Sequence, residues 1–282
     1  MARAEAGGTQ WEIARRRPAP ELAAYVRELQ GYVERASTVV RRREFAGAQV
    51  VVILEFEPRL HVYDPGHSTR HTSFPGGFVA GVDDSFTWTE HAGLQSGIQL
   101  NLHPLGARRV FGLPLRELRG RSVAFEDLVP EHRGLSEQLA ELRGWDARFD
   151  RIEDFIRARL RAAPPHDATV SWALDRMAAS GGTLNLSELV TELGYSHKHV
   201  IARFHDQVGV PPKVWARLLR FERLRHELTA HDAGARPRSW AELALTCGYY
   251  DQAHLARDVR QFTGDTPRAL LQPGQVFQDA DW

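Results

Sequence analysis

The chain has a single cysteine, Cys247, in 282 residues. That excludes an internal disulfide framework, a Cys-x-x-Cys redox pair and any zinc site needing two or more thiolates. Charge of one sign is also missing, since 36 basic residues face 36 acidic ones. A histone-like or tail-driven electrostatic binder is thereby excluded, whereas a reader of nucleic acid with local positive charge is not. Beyond the Pro164-Pro165 pair the balance stays even, with 13 basic and 14 acidic residues in 167–282. Lysine is nearly absent, with only Lys198 and Lys213 beside the arginines, a bias too broad to carry a mechanism. No apolar run approaches the roughly 20 residues of a membrane span. Arg15, Arg16 and Arg17 have no apolar run behind them, so no signal peptide is expected. A cytoplasmic protein with no membrane partner is the expectation.

What is present suffices for real cores: 43% of residues are apolar and 9% aromatic, which excludes disordered and fibrous classes. The length suggests two domains. After a polar start, Met1 to Gln10, a short helical pattern runs over Pro20–Leu29. Strand signals follow at Ser37–Arg43, Gln49–Phe56, Arg59–Tyr63, Gly77–Val82, Ser85–His91 and Leu94–Leu102. Thr87-Trp88-Thr89 and Ile98 through Leu102 alternate with the period of half-buried antiparallel strands. Helical patterns then occupy 105–111, 124–130, 134–143 and 146–161, and Ala163-Pro164-Pro165 stops the last of them. The expected fold is therefore α+β. Residues 1–163 form a β-rich domain, a cupin-like barrel or a sandwich, with flanking helices. Residues 164–167 link it to an all-α domain at 168–272, and 273–282 are a tail.

The all-α half repeats itself. Asn185 through Tyr195 and Ser239 through Tyr249 match at a constant offset of 54. Each copy opens on an N-capping residue with Glu three positions later, the capping-box spacing. Each then carries an apolar stripe: Leu186, Leu189, Val190 and Leu193 against Trp240, Leu243, Ala244 and Cys247. Gly194 and Gly248 follow, where a left-handed residue ends a helix without a Cβ penalty. A second amphipathic helix comes next in both copies, with Val200, Phe204 and Val208 on one face in the first and Leu255, Val259 and Phe262 in the second. Both copies close on Gly and then Pro, and a helix over 214–228 joins them. A capped helix, a glycine turn and a second helix make a helix-turn-helix, whose second helix enters the major groove. The exposed positions suit that use: His197, Lys198, His199 and His205 on the first, Gln252, His254, Arg257 and Arg260 on the second.

Gly248-Tyr249-Tyr250-Asp251-Gln252-Ala253-His254-Leu255-Ala256-Arg257, continued by Phe262 through Pro267, resembles the signature of the AraC/XylS transcription regulators. Gly194 through Val200, with Phe204 and Gly209, fits the same family, so the resemblance covers about 168–271. It implies two helix-turn-helix units bridged by a long helix, reading successive major-groove segments about one helical turn apart, ~34 Å. The partner it implies is double-stranded DNA and the function is transcription regulation, with no enzyme activity and no cofactor. Its base-contacting positions fall on Lys198, Ile201 and Ala202 in the first unit and on Ala253, His254 and Arg257 in the second. His197, Gln252 and Arg260 flank them, and Lys213 and Arg268, after the repeated prolines, are expected at phosphates. Arg203 lies one position past the family's usual arginine. A one-residue shift turns a side chain by about 100°, so a phosphate or an intramolecular ion pair is its expected partner.

In such regulators the variable domain senses a small molecule or mediates dimerisation. A small-molecule effector, a homodimer and, for an activator, RNA polymerase are thus the further expected partners. Tyr63, Phe78, Phe86 and Trp88 are the expected ligand-lining residues. The helical stripes at 134–143 and 146–161 suit either packing on the β-domain or a dimer seam. The rival reading is a cupin-like metal-dependent enzyme with a helical appendage, drawing on His61, His67, His71, His91, His103 and His132. No two of these have the single-residue spacing of a His-x-His pair, so no metal is expected. Cys247 takes a stripe position and is expected to be buried.

Overall fold

Alternation along three central strands decides the first half. The computed structural model describes residues 2–6, 8–57, 59–64, 69–230 and 239–271. The strands are β1 (Ala2–Ala6), β2 (Thr9–Arg16), β3 (Val26–Ala36), β4 (Val40–Glu44), β5 (Val50–Glu57), β6 (His61–Tyr63), β7 (His71–Ser73), β8 (Phe78–Ala80), β9 (Thr87–His91), β10 (Leu94–Leu102) and β11 (Ser122–Ala124). They form two antiparallel sheets, ordered β1-β2-β3-β10-β5-β8-β11 and β4-β9-β6-β7. The arrangement is a sandwich of two sheets and not a closed barrel. Leu100 pairs with Leu29 and Val52, and Ile98 with Gly31 and Leu54. These residues give the larger sheet an apolar face, which is covered by helices α1 (Pro104–Phe111), α3 (Leu135–Glu141) and α4 (Trp145–Ala162). A short helix α2 (Phe125–Leu128) precedes α3. At Gly31 the ring of Trp145 lies where a Cβ would stand, so α4 rests directly on β3.

Two sequence expectations are corrected here. The helical pattern over Pro20–Leu29 yields only a 3₁₀ turn at Pro20–Leu22, and Val26–Leu29 begin β3. Proline is well placed for a first turn, but long-range pairing with β10 outweighs local propensity beyond it. The polar start is likewise a hairpin of β1 and β2. The α4 stripe of Phe149, Ile152, Phe155, Ile156 and Leu160 is buried within the main core.

The second half is helical: α5 (Ala168–Ala179), α6 (Leu186–Leu193), α7 (His197–Gln207), α8 (Pro212–Ala230), α9 (Trp240–Thr246) and α10 (Gln252–Thr263). Arg109 donates to the carbonyls of Leu160, Ala163 and Pro164, fixing the strand of chain between α4 and α5. One apolar cluster runs without a break from Leu29 and Ile98 through Phe155 to Phe221 and Phe262. No helix among the described residues is long and apolar enough to cross a membrane.

Candidate DNA-reading surface and the interface behind it

Both expected capping boxes form. Asn185 accepts from the Glu188 amide at 2.9 Å while Glu188 accepts from the Asn185 amide at 3.3 Å. Ser239 and Glu242 repeat the exchange at 3.2 and 2.7 Å. Gly194 then ends α6 in the left-handed region, φ 69°. The second helices are capped too. Ser196 accepts from His199 N at the start of α7, and Asp251 accepts from His254 N at 2.7 Å at the start of α10. Val200 and Phe204 turn inward in α7, as do Leu255, Val259 and Phe262 in α10. The opposite faces are open.

His197, Lys198 and Ala202 are exposed on α7, with Ile201 half-buried. Gln252, Ala253, Arg257 and Arg260 are exposed on α10, and Lys213 and Arg268 are exposed beyond the repeated prolines. Arg257 folds back to its own helix, its Nε donating to the Ala253 carbonyl at 3.3 Å. His254 is half-buried and differs from its neighbours. Its Nδ1 accepts from the Tyr250 amide at 3.5 Å and its Nε2 lies 4.0 Å from Asp258. At that distance Nε2 makes no hydrogen bond, and Asp258 Oδ2 is left without a hydrogen-bond partner. Arg203 forms the intramolecular ion pair, with Asp167 at the start of α5. Cys247 is fully buried at the end of α9. Exposed Tyr195 stacks on His199 with ring centroids 4.6 Å apart, an aromatic pair on this surface that the spacing argument overlooked.

Of the four aromatic ligand candidates, Phe86 and Trp88 meet edge to face with ring centroids 6.5 Å apart, and Tyr63 shares a guanidinium with Trp88. Phe78 lies between the sheets with Ile53, Leu60 and Val62. Tyr63 and Trp88 both lie under the Arg41 guanidinium, at 4.4 and 4.9 Å. Phe86 packs against Gly264, just past α10. What fills the rest of the space between the sheets is polar. Glu34 receives two hydrogen bonds from Arg42, and its Oε2 lies 3.1 Å from His91 Nε2. Thr89 donates to Glu44 at 2.6 Å and Gln95 to the Tyr32 hydroxyl at 3.3 Å. Burial opposes ionisation of Glu34, but the bonds from His91 and Arg42 outweigh it and hold the carboxyl down at about 2. Glu55 has weaker support, from the Leu60 amide and Arg59, so burial pushes it up to about 7. No pattern of sequence neighbours marks this cluster, because β3, β4, β5, β9 and β10 each supply part of it. Among the described residues no group of three or more His, Cys, Asp or Glu has an arrangement that could hold a metal ion. His67, one of the histidines considered, lies outside the described residues.

Behind the exposed surface the helices meet the β-domain. Asp206, in the last turn of α7, binds Arg116 at 2.7 Å and Arg108 at 3.6 Å. At the end of α10 the Phe262 carbonyl accepts from the Ala46 amide at 3.1 Å and the Thr263 carbonyl from Arg43 at 3.2 Å. Arg43 also pairs with Asp265 at 2.7 Å. From the loop before β9, Asp84 Oδ2 accepts from Gln261 of α10 at 2.9 Å and from Arg217 of α8 at 3.4 Å. Glu222 of α8 accepts from the Ala48 amide at 2.9 Å and from Arg27 at 3.1 Å.

No curated protein sequence matches the chain. Among solved structures it is similar to ToxT from Vibrio cholerae O395, at 7% identity and a TM-score of 0.46, over 94% of this chain and 97% of that one. The P21 crystal form of Vibrio cholerae ToxT gives 8%, 0.46, 94% and 98%. Wild-type ToxT of Vibrio cholerae strain SCE256, with unsaturated fatty acid bound, gives 9%, 0.45, 83% and 93%. A helix-turn-helix domain family matches residues 189–272, from within α6 to just past α10. Those residues of this chain form a helix-turn-helix domain.

Proposed function

We propose that the protein is a sequence-specific, double-stranded-DNA-binding transcription regulator whose β-domain senses a small-molecule effector. One observation carries the DNA reading. Two matched, capped helix-turn-helix units keep the outer faces of α7 and α10 open while their inner faces are packed in the core. Lys198, Gln252 and Arg257 are the base-edge readers in this account, because Arg and Lys suit guanine and Gln suits adenine. Ile201, Ala202 and Ala253 offer apolar contact to thymine methyls. His197, Arg260, Lys213 and Arg268 hold phosphates, which position the protein without specifying sequence. His254 stands beside these residues at a base-contacting position, with its Nδ1 turned to the Tyr250 amide. The sensing role is supported by the polar cluster between the sheets, a costly burial of Glu34, Glu55 and His91 of the kind that functional sites favour. A second copy of the chain and, in an activator, RNA polymerase are the protein partners this function entails.

Binding of duplexes selected from random DNA, titrated against salt, tests the assignment. Arg257→Ala should cost about 1–3 kcal/mol on the selected duplex and relax the preference at one base pair. Lys213→Ala should weaken selected and random duplexes alike, with the salt slope falling by about 1. If Arg257→Ala weakens both duplexes equally, Arg257 does not read sequence.

A further inference from the structure

The C-terminal end of an α-helix carries orphan carbonyls and partial negative charge. In this protein each reading helix is capped in part by its own chain, Val208 and Gly209 donating to the Phe204 carbonyl and Gly264 to the Arg260 carbonyl, and the β-domain adds further partners at both ends. At α10 the Phe262 and Thr263 carbonyls take their partners from the β-domain, the Ala46 amide at 3.1 Å and the Arg43 guanidinium at 3.2 Å. At α7 the mismatch is larger, because Asp206 adds an acidic group to an already negative end. Arg116 and Arg108, also from the β-domain, neutralise it. Glycines let the two surfaces close. A Cβ on Gly209, just after α7, would stand 3.0 Å from the Leu115 carbonyl, and one on Gly264 would overlap the Phe86 ring at 2.5 Å. Asp84 joins the same β-domain surface to α10 and to α8, the helix that bridges the two units.

From this we infer that the β-domain is a spacing gauge for DNA recognition: Arg43 on one side, and Arg108 with Arg116 on the other, fix the separation of α7 and α10. They are positioning residues, set behind the helices and clear of the exposed faces. The inference rests on the DNA-reading function above. Its link to sensing is short. Arg43 lies on β4 between Arg42 and Glu44, whose side chains join the polar cluster between the sheets. A rearrangement of that cluster would reach the end of α10 through a single strand.

The test uses the full-length protein and a random-sequence double-stranded DNA pool. Wild type, Arg43→Ala, Arg43→Lys, Asp84→Asn and the Arg108→Ala/Arg116→Ala double variant each select duplexes, and circular dichroism confirms helix content. Wild type should enrich two half-sites at one separation. Arg43→Ala and the double variant should enrich the same half-sites at spread separations and bind the wild-type duplex roughly tenfold more weakly, a normal size for coupling between sites. Asp84→Asn, a loop change that leaves both helix ends their arginines, should broaden the separations less. Arg43→Lys keeps a cation at the helix end and should retain the wild-type separation. Unchanged separations with affinities within about twofold would overturn the inference. So would tighter binding at an unchanged separation, which would make the interface a restraint on DNA binding and not a gauge. If wild type enriches no sequence at all, the DNA-reading function itself fails.

Discussion

Glu55 and His103 illustrate how single side chains set the protein's response to pH. Burial raises Glu55 from its ordinary 4.5 to about 7. Burial, aided by Arg27 and His166, lowers His103 from 6.5 to about 4. Between about pH 4.5 and 7 folded Glu55 keeps a proton that the unfolded chain has lost, so its contribution to stability falls as pH rises. His103 acts in the opposite sense from about pH 4 to 6.5, because there the unfolded chain binds the extra proton. The two slopes oppose each other in wild type. Glu55→Gln should remove the falling one, so stability climbs more steeply between pH 4.5 and 6.5 and exceeds wild type at pH 7.5 by on the order of 1–3 kcal/mol. Urea melts at pH 5 and 7.5 check this, and an unchanged slope would acquit Glu55. Cys247 allows a simpler experiment. Its full burial withholds the thiolate from attack, so an aromatic disulfide reagent should react only after unfolding. Rapid labelling of the native protein would contradict the packing described.

At the scale of elements, the duplicated capping boxes do equivalent jobs in different settings. Asn185→Ala and Ser239→Ala should each cost about 1 kcal/mol, the usual loss when an N-cap is truncated. Thermal melts give the magnitude, and loss of selected-duplex binding at temperatures well below the melt would show that the caps also hold the reading helices. The repeat was legible because capping, stripe and glycine stop are local rules, each satisfied within about eleven residues. The same locality explains the failure at Pro20–Leu29. Its apolar spacing is compatible with a helix, but Leu29 pairs with Leu100 far along the chain. The strand Leu94–Leu102 was found with its bounds intact, because its alternation reports one covered and one polar face. The short strands His71–Ser73 and Ser122–Ala124 carry too few residues for a period to show.

For the whole molecule, the decisive feature is that one apolar cluster unites the sheet, its covering helices and the DNA-reading units. Such continuity predicts a single cooperative unfolding transition. Calorimetry should show one peak with matching calorimetric and van't Hoff enthalpies, and two separable peaks would mean that the halves fold independently. The chain alone determined that its C-terminal part is a pair of helix-turn-helix units, and which faces of α7 and α10 are polar, since helix period and capping depend on neighbours within a few turns. Only the tertiary structure decided that the β-rich half is an open sandwich with a polar interior. It alone paired Arg203 with Asp167. It also placed Arg43, Arg108 and Arg116 at the ends of the reading helices. Each of those outcomes depends on groups scattered along the chain, some of them more than two hundred positions apart, whose meeting is set by burial and closure of the whole core.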